Sequence, residues 1–334
     1  MKKEIYINGI GNISPQATFY QSMGEELAQP NGAFFSCQEP NYKEFIERKR
    51  LRRMSRIVRM GLATAYKALE EAQNPTVDAI ISGTAWGCVK DTEKFLETII
   101  ENKEEYLTPT AFVQSTHNTV AGQIALLHHN NCYNMSYVQG NVSFESALMD
   151  AMLLFYDKQA KNILVNGIDE QTDQLHTLLT RLKCAQPEQR IMGEGAACFI
   201  LSEQLLDNSY AKLAGITTLY RPKDTNVVKN SIFQLLQEQQ LSVDAIDLVL
   251  SGNEDPSFET QLCSKAALRS YKKLCGEYPT STAFAMAIAA QILKNDTATK
   301  TALDLAEKEI NHILIYNQHQ NINHSIILLS KIDC

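Results

Sequence analysis

Short apolar runs rich in β-branched residues recur along the chain at wide intervals, with helical patterns between them. The run at 77–83 reads VDAIISG and the run at 246–252 reads IDLVLSG, each with an acidic residue near its start and Ser-Gly at its end. They are offset by 252 − 83 = 169 residues, about half of the 334. A second echo pairs NILVNG at 162–167 with HILIYN at 312–317, offset by 312 − 162 = 150. Continuous apolar runs suit strands that helices cover on both faces, which is the layered α/β arrangement. Helical spacing over 144–156 and 281–293 supplies two such helices. The pattern predicts a strand-helix unit duplicated into two similar halves, 1–172 and 173–334. With no low-complexity stretch and no Pro/Gly-rich linker between them, the halves are expected to pack as one body.

A hydrophobic content of 44% is enough for a large core. No stretch approaches the roughly 20 apolar residues that span a bilayer. The apolar part of the opening MKKEIYINGI is too short and interrupted for a signal peptide, so the expectation is a cytoplasmic protein with no membrane partner. A net charge of −7 argues against nucleic acid as a main partner, since phosphate neutralisation needs clustered Lys and Arg. Cys37, Cys88, Cys132, Cys184, Cys198, Cys263, Cys275 and Cys334 show no CxxC pair and no His-interleaved spacing. Neither a metal site nor a disulfide framework is expected, most of these thiols read as small core hydrophobes, and no cofactor is implied.

One basic cluster stands out, RKRLRRMSRIVR at 48–59, running into the helical pattern MGLATAYKALEEA. Its plain reading is a helix with a solvated basic face. The other reading makes Arg48, Arg50, Arg52 and Arg53 a docking patch for an acidic protein.

Several segments together resemble the β-ketoacyl synthases of the thiolase superfamily, from Ile5 to Leu329. Asn8-Gly9-Ile10-Gly11 is similar to the opening strand and turn, Arg53-Met54-Ser55-Arg56 to the helix after it, and Ser82-Gly83-Thr84 to the next strand end. PTAFVQSTHNTVAG at 109–122 resembles the stretch before the nucleophile, and NILVNGIDE with MGEGAACFILSE the strand and glycine signatures after it. The resemblance implies an αβαβα sandwich of two five-stranded halves. It also implies dimerisation through the strand before the nucleophile, here 134–138.

The same resemblance makes three absences legible. A family cysteine belongs at about Asn141, two residues from Gln139, where the segment YVQGNVSFESAL has none. In the family a helix dipole there favours the attacking thiolate. Ser143 is the only hydroxyl in that window; it reads either as a nucleophile, which would need an adjacent base, or as a helix cap. Two family histidines, which donate hydrogen bonds to a developing enolate, are replaced around Ser251-Gly252-Asn253 and at Gly276-Glu277. Lys272 and Glu259 match charges that in ketosynthases are structural partners. The closing Gly-rich loop is replaced by YNQHQNINH at 316–324, where His319 and His324 are candidate substitute acid-base groups. Cys275, beside Glu277, is expected to have a raised pKa. Phe112 is a candidate stop in an acyl tunnel, or a core anchor.

The leading expectation is a catalytically silent ketosynthase homologue that pairs with an active ketosynthase, shapes its acyl tunnel as a chain-length factor does, and meets an acyl carrier protein. Two alternatives stay open: an active β-ketoacyl-ACP synthase or acyltransferase with an unrecognised nucleophile, and a homodimeric scaffold that binds the carrier protein.

Overall fold

The computed structural model describes residues 3–24, 26–182 and 191–332; Cys184 and Cys334 lie outside them. Ten strands carry the architecture: β1 (Tyr6–Ile13), β2 (Ala79–Gly83), β3 (Tyr133–Tyr137), β4 (Asn162–Asp169), β5 (Gly195–Ser202), β6 (Ala211–Tyr220), β7 (Leu248–Ser251), β8 (Ala267–Ser270), β9 (His312–His319) and β10 (Asn323–Ser330). Their order is β8-β7-β9-β10-β6-β1-β5-β4-β2-β3. Taken as two sets, β1 to β5 and β6 to β10, both follow one scheme: third, second, fourth, fifth, first. The directions repeat too, since β2 pairs parallel with β3 and β4, as β7 does with β8 and β9, and the last pairings of each set are antiparallel. The sequence echoes are therefore equivalent strands, β2 with β7 and β4 with β9. The division at 172/173 falls before β5, the antiparallel strand that completes the first set, because the echoes end at β4.

Among the described residues the ladder between the two sets is only Tyr6↔Lys212 and Ile7↔Ala211, with one further backbone bridge from Met192 to Glu277. What binds them is a central helical layer, α6 (Ser143–Tyr156) and α11 (Ser281–Leu293), which packs on strands of both sets. Every residue of α11 except Gln291 is buried, the signature of a helix wrapped by core on all sides. Before α6 come α1 (Arg48–Leu51), α2 (Arg56–Glu71), α3 (Val89–Glu101), α4 (Pro109–Gln114) and α5 (Thr119–Leu127). Between α6 and α11 lie α7 (Asp173–Arg181), α8 (Thr225–Glu238), α9 (Ser257–Leu262) and α10 (Lys272–Cys275). Helices α2 and α5 cover the outer face of the first set and α8 that of the second, giving the layers αβαβα. The glycines of β1 let α2 settle on it: a Cβ at Gly9 or Gly11 would lie 1.9 or 2.0 Å from the carbonyl oxygens of Ala68 and Thr64.

The basic cluster is not one helix. It forms the single turn α1, leaves helical geometry at 52–55, and re-enters it as α2. Tertiary contacts explain the break. Arg56 turns inward to the buried Glu194, with two bonds of 2.6 Å, and Arg59 donates to the Leu51 and Met54 carbonyls. Arg48, Arg50, Arg52 and Arg53 remain exposed.

Among the described residues, no helix is long and apolar enough to cross a membrane, and no cluster of His, Cys, Asp and Glu could hold a metal ion. Cys88, Cys198, Cys263 and Cys275 are buried and Cys132 is exposed.

Candidate functional site

The corner between β3 and α6 is built tightly. After Tyr137 the chain passes Val138 and Gln139 and makes one 3-10 turn, Gly140–Val142, before α6 begins. Ser143 closes that turn: its Oγ accepts from the Gln139 amide at 2.9 Å and donates to the Gly140 carbonyl at 2.7 Å. The hydroxyl is fully buried with its donor spent, and no imidazole or carboxylate bonds to it. It does not cap α6, whose cap residue Val142 makes no side-chain bond; it bonds back onto the turn that precedes the helix. Gly83 at the end of β2 permits the close fit, since a Cβ there would lie 2.5 Å from the Ser143 carbonyl oxygen. Gln139 is exposed and Asn141 half-buried, so the corner presents amides and no thiol.

The second set of strands contributes a polar wall. At the end of β7, Ser251 Oγ and Asn253 Nδ2 both donate to Glu259 Oε1 at 2.6 Å, and Asn253 Oδ1 accepts from the Gln318 amide. Lys272 does not pair with Glu259. Its ammonium, only 4% exposed, bonds both oxygens of Glu277 at 2.9 and 2.8 Å. The reason is local: Glu277 is tied through its backbone to Ile191 and Gly193, which brings its carboxylate to Lys272, while Glu259 is taken up by Ser251 and Asn253. Ser251, Asn253, Arg269, Lys272 and Glu277 line a cavity of about 910 Å³. It opens at the C-terminal ends of the parallel strands β7 and β8, where open α/β sheets place their ligands. Cys275, behind it, is held well above the ordinary thiol range; burial is the main cause, with Glu277 adding to it and Lys272 opposing.

Between the two halves lies a group that the sequence reading missed. Glu145, in the first turn of α6, is fully buried, and neither carboxylate oxygen has a hydrogen-bond partner among the described residues. Burial raises its pKa, while the hydroxyls of Thr282 and Ser325 and the charge of Lys272 pull the other way. Those hydroxyls are its polar neighbours. Ser281 Oγ, Thr282 Oγ1, Ser325 Oγ, Tyr271 OH and Asn317 Oδ1 are likewise buried without partners. They are contiguous: Asn317 sits opposite Ser325 in the β9-β10 ladder, and a Cβ at Gly252 would lie 2.3 Å from Asn317 Oδ1 and 2.6 Å from Tyr271 OH. A signal was available, since Glu145 shares its helix face with Leu148 and Met152, and a charge on an apolar stripe is informative.

Other predicted residues sit apart from this centre. His324 is buried on the outer face of the second set, its Nδ1 2.8 Å from Tyr316 OH, whereas its neighbour Ser325 faces inward. Strand alternation thus removes His324 from the Asn141 corner, and burial lowers its pKa. His319 ends β9 at the hairpin, half-buried. Phe112 is on the short helix α4; it is 58% exposed and contacts Phe95 at 5.9 Å between ring centres, so it anchors no core within the chain. Arg50 and Arg53 line a cavity of about 320 Å³ together with Val58, Leu126 and Leu127.

The profile of a family described as "Beta-ketoacyl synthase, N-terminal domain" matches residues 28–210. No curated protein sequence matches the chain. Among solved structures, it resembles the ishigamide ketosynthase/chain length factor with a TM-score of 0.77 at 15% identity, covering 99% of this chain and 100% of that one. A β-ketoacyl synthase from Burkholderia phymatum gives 0.79 at 15% identity over 99% and 100%. A ketosynthase, ApeO, in complex with its chain length factor, ApeC, from Xenorhabdus doucetiae gives 0.77 at 12% identity over 99% and 98%. At these identities the likeness is one of fold.

Proposed function

The chain belongs to the β-ketoacyl synthase family, and on that premise we propose that it is a catalytically silent, chain-length-factor-like partner of an active ketosynthase in type II fatty acid, polyketide or aryl polyene synthesis. One observation carries this reading. The strand-turn-helix corner at Gln139, Gly140 and Asn141 has no thiol, and its one hydroxyl, Ser143, is spent on the turn. Supporting it, the residue at the second histidine position, Glu277, is an acid held by Lys272. A carboxylate repels an enolate where imidazole would stabilise one.

The surface suits pairing. Strand β3 is an edge, and exposed Tyr133 and Met135 on it adjoin exposed Met149, Leu153 and Tyr156 of α6. An unprotected apolar edge invites a partner. We assign that partner as an active ketosynthase subunit, two of the structural neighbours being named as ketosynthases with chain length factors. The exposed Arg48, Arg50, Arg52 and Arg53 form the acidic carrier protein's docking patch.

Two measurements test the proposal. Incubated alone with acylated carrier protein, the chain should gain no acyl mass in intact-protein mass spectrometry; a stoichiometric adduct would overturn silence and restore the reading of an active synthase. Co-expressed with a ketosynthase that has its Cys and His residues, it should appear as a heterodimer in native mass spectrometry. A stable homodimer that ignores the ketosynthase would instead favour the carrier-binding scaffold.

A further inference from the structure

We propose that the buried polar cluster around Glu145, between the two halves, is a binding site for a small carboxylate, and that the Glu145 side chain occupies it from within the chain. Three features of the cluster converge on that chemistry. Thr282 and Ser325 bring buried hydroxyls against the carboxylate, and the buried hydroxyls of Ser281 and Tyr271 lie beside one another next to them. Lys272 lies within electrostatic reach of Glu145 from the cavity side. Finally, Glu145 is in the first turn of α6, while Ser281 and Thr282 open α11, so the positive ends of two long central helices meet there.

A buried acid is costly unless its surroundings answer it. Here the surroundings are hydroxyls and two helix ends, with the Lys272–Glu277 pair on the cavity side. The significance rests on the silent-subunit reading. In a family that handles malonyl units, a carboxylate place filled by the protein's own side chain leaves none for a substrate.

Truncating the side chain tests this directly. Glu145→Ala removes the carboxylate and leaves a polar hole, and engineered holes of this scale bind small ligands even when fully buried. The variant should melt several degrees below wild type, and sodium formate should recover at least half of that loss, saturably. Sodium chloride at equal ionic strength should not. Formate should not raise the melting temperature of wild type or of Glu145→Gln, whose side chains fill the space. Titration calorimetry should show formate binding to Glu145→Ala alone. If Glu145→Ala does not fold, Glu145→Ser is expressed with and without formate in the medium, and soluble protein only with formate supports the site. The proposal is overturned if formate acts no better than chloride, or acts equally on Glu145→Gln. These outcomes are independent of acylation: an acyl adduct on wild type would end the silent-subunit reading and leave formate recovery as it is.

Discussion

Replacing Asp169 isolates the contact that ties the first set of strands to α11. Its Oδ1 accepts from Thr84 Oγ1 and from the Ala85 and Trp86 amides at 2.8–2.9 Å, and its Oδ2 accepts from Thr280 Oγ1 at 2.9 Å. Asp169→Ala strands all four donors. The two hydroxyls can turn elsewhere, but the two amides cannot, and each buried orphan costs about 1–3 kcal/mol. The expected loss is therefore about 4 kcal/mol. Asp169→Asn keeps Oδ1 for three donors and turns an amide toward Thr280, whose hydroxyl can accept, so it should cost about 1 kcal/mol. The charge itself is not what stabilises: burial pushes the Asp169 pKa up to about 6 although all four donors pull it down. A folded pKa above the unfolded value of 3.8 means that the native state binds the extra proton. This side chain's contribution is then full below about pH 4, falls as pH rises toward 6, and is flat above. Asp169→Asn should lack that slope. Urea denaturation followed by fluorescence suits the test, because the chain's one tryptophan is Trp86, whose amide donates to Asp169. An Asp169→Ala loss under about 1 kcal/mol, or equal losses in both variants, would refute the reasoning.

Glu170, pushed up to about 7 mainly by burial, should make wild type lose stability as pH rises from about 5 to 7, and Glu170→Gln should flatten that profile in a melting series. Phe112→Ala should lengthen the product of a reconstituted pair by several carbons without slowing the first condensation, since removing a ring opens depth at about 0.8 kcal/mol per methylene; unchanged product length from an intact complex would leave Phe112 outside the tunnel. Reversing charge at Arg50 and Arg53 should weaken carrier-protein binding at least tenfold at low salt in calorimetry, with the difference shrinking as the screening length falls below about 8 Å; equal affinities would move the docking patch elsewhere.

The layers and the duplication were legible because buried parallel strands are apolar on both faces, which makes them conspicuous: VDAIISG and IDLVLSG became equivalent strands, and α11 matched its expected span of 281–293. The break in the basic cluster was not legible. It depends on Arg56 meeting Glu194, 138 residues away. Lys272 was expected beside Glu259 because a family pattern gives positions and not partners; local backbone ties decided for Glu277. The face on which His324 lies was readable by alternation once the strand's span was known. The polar cluster stayed hidden because its members come from five separate segments, and no short window of sequence holds two of its faces. Glu145 alone carried a hint, as an acid on an apolar stripe.

The narrow backbone seam between the sets, two residue pairs wide, has a consequence for how the chain holds together when cut. Cooperativity must travel through α6 and α11, which neither set can cover alone. Cleavage in the connection between β5 and β6 would divide no backbone pairing except that seam and the Met192–Glu277 bridge, and would leave each fragment its own central helix. The two pieces would each expose one long apolar helix to water and would have strong cause to find one another, as a split reporter does. Fused to separate baits, they would make a complementation pair whose affinity comes mainly from the side chains of the central layer.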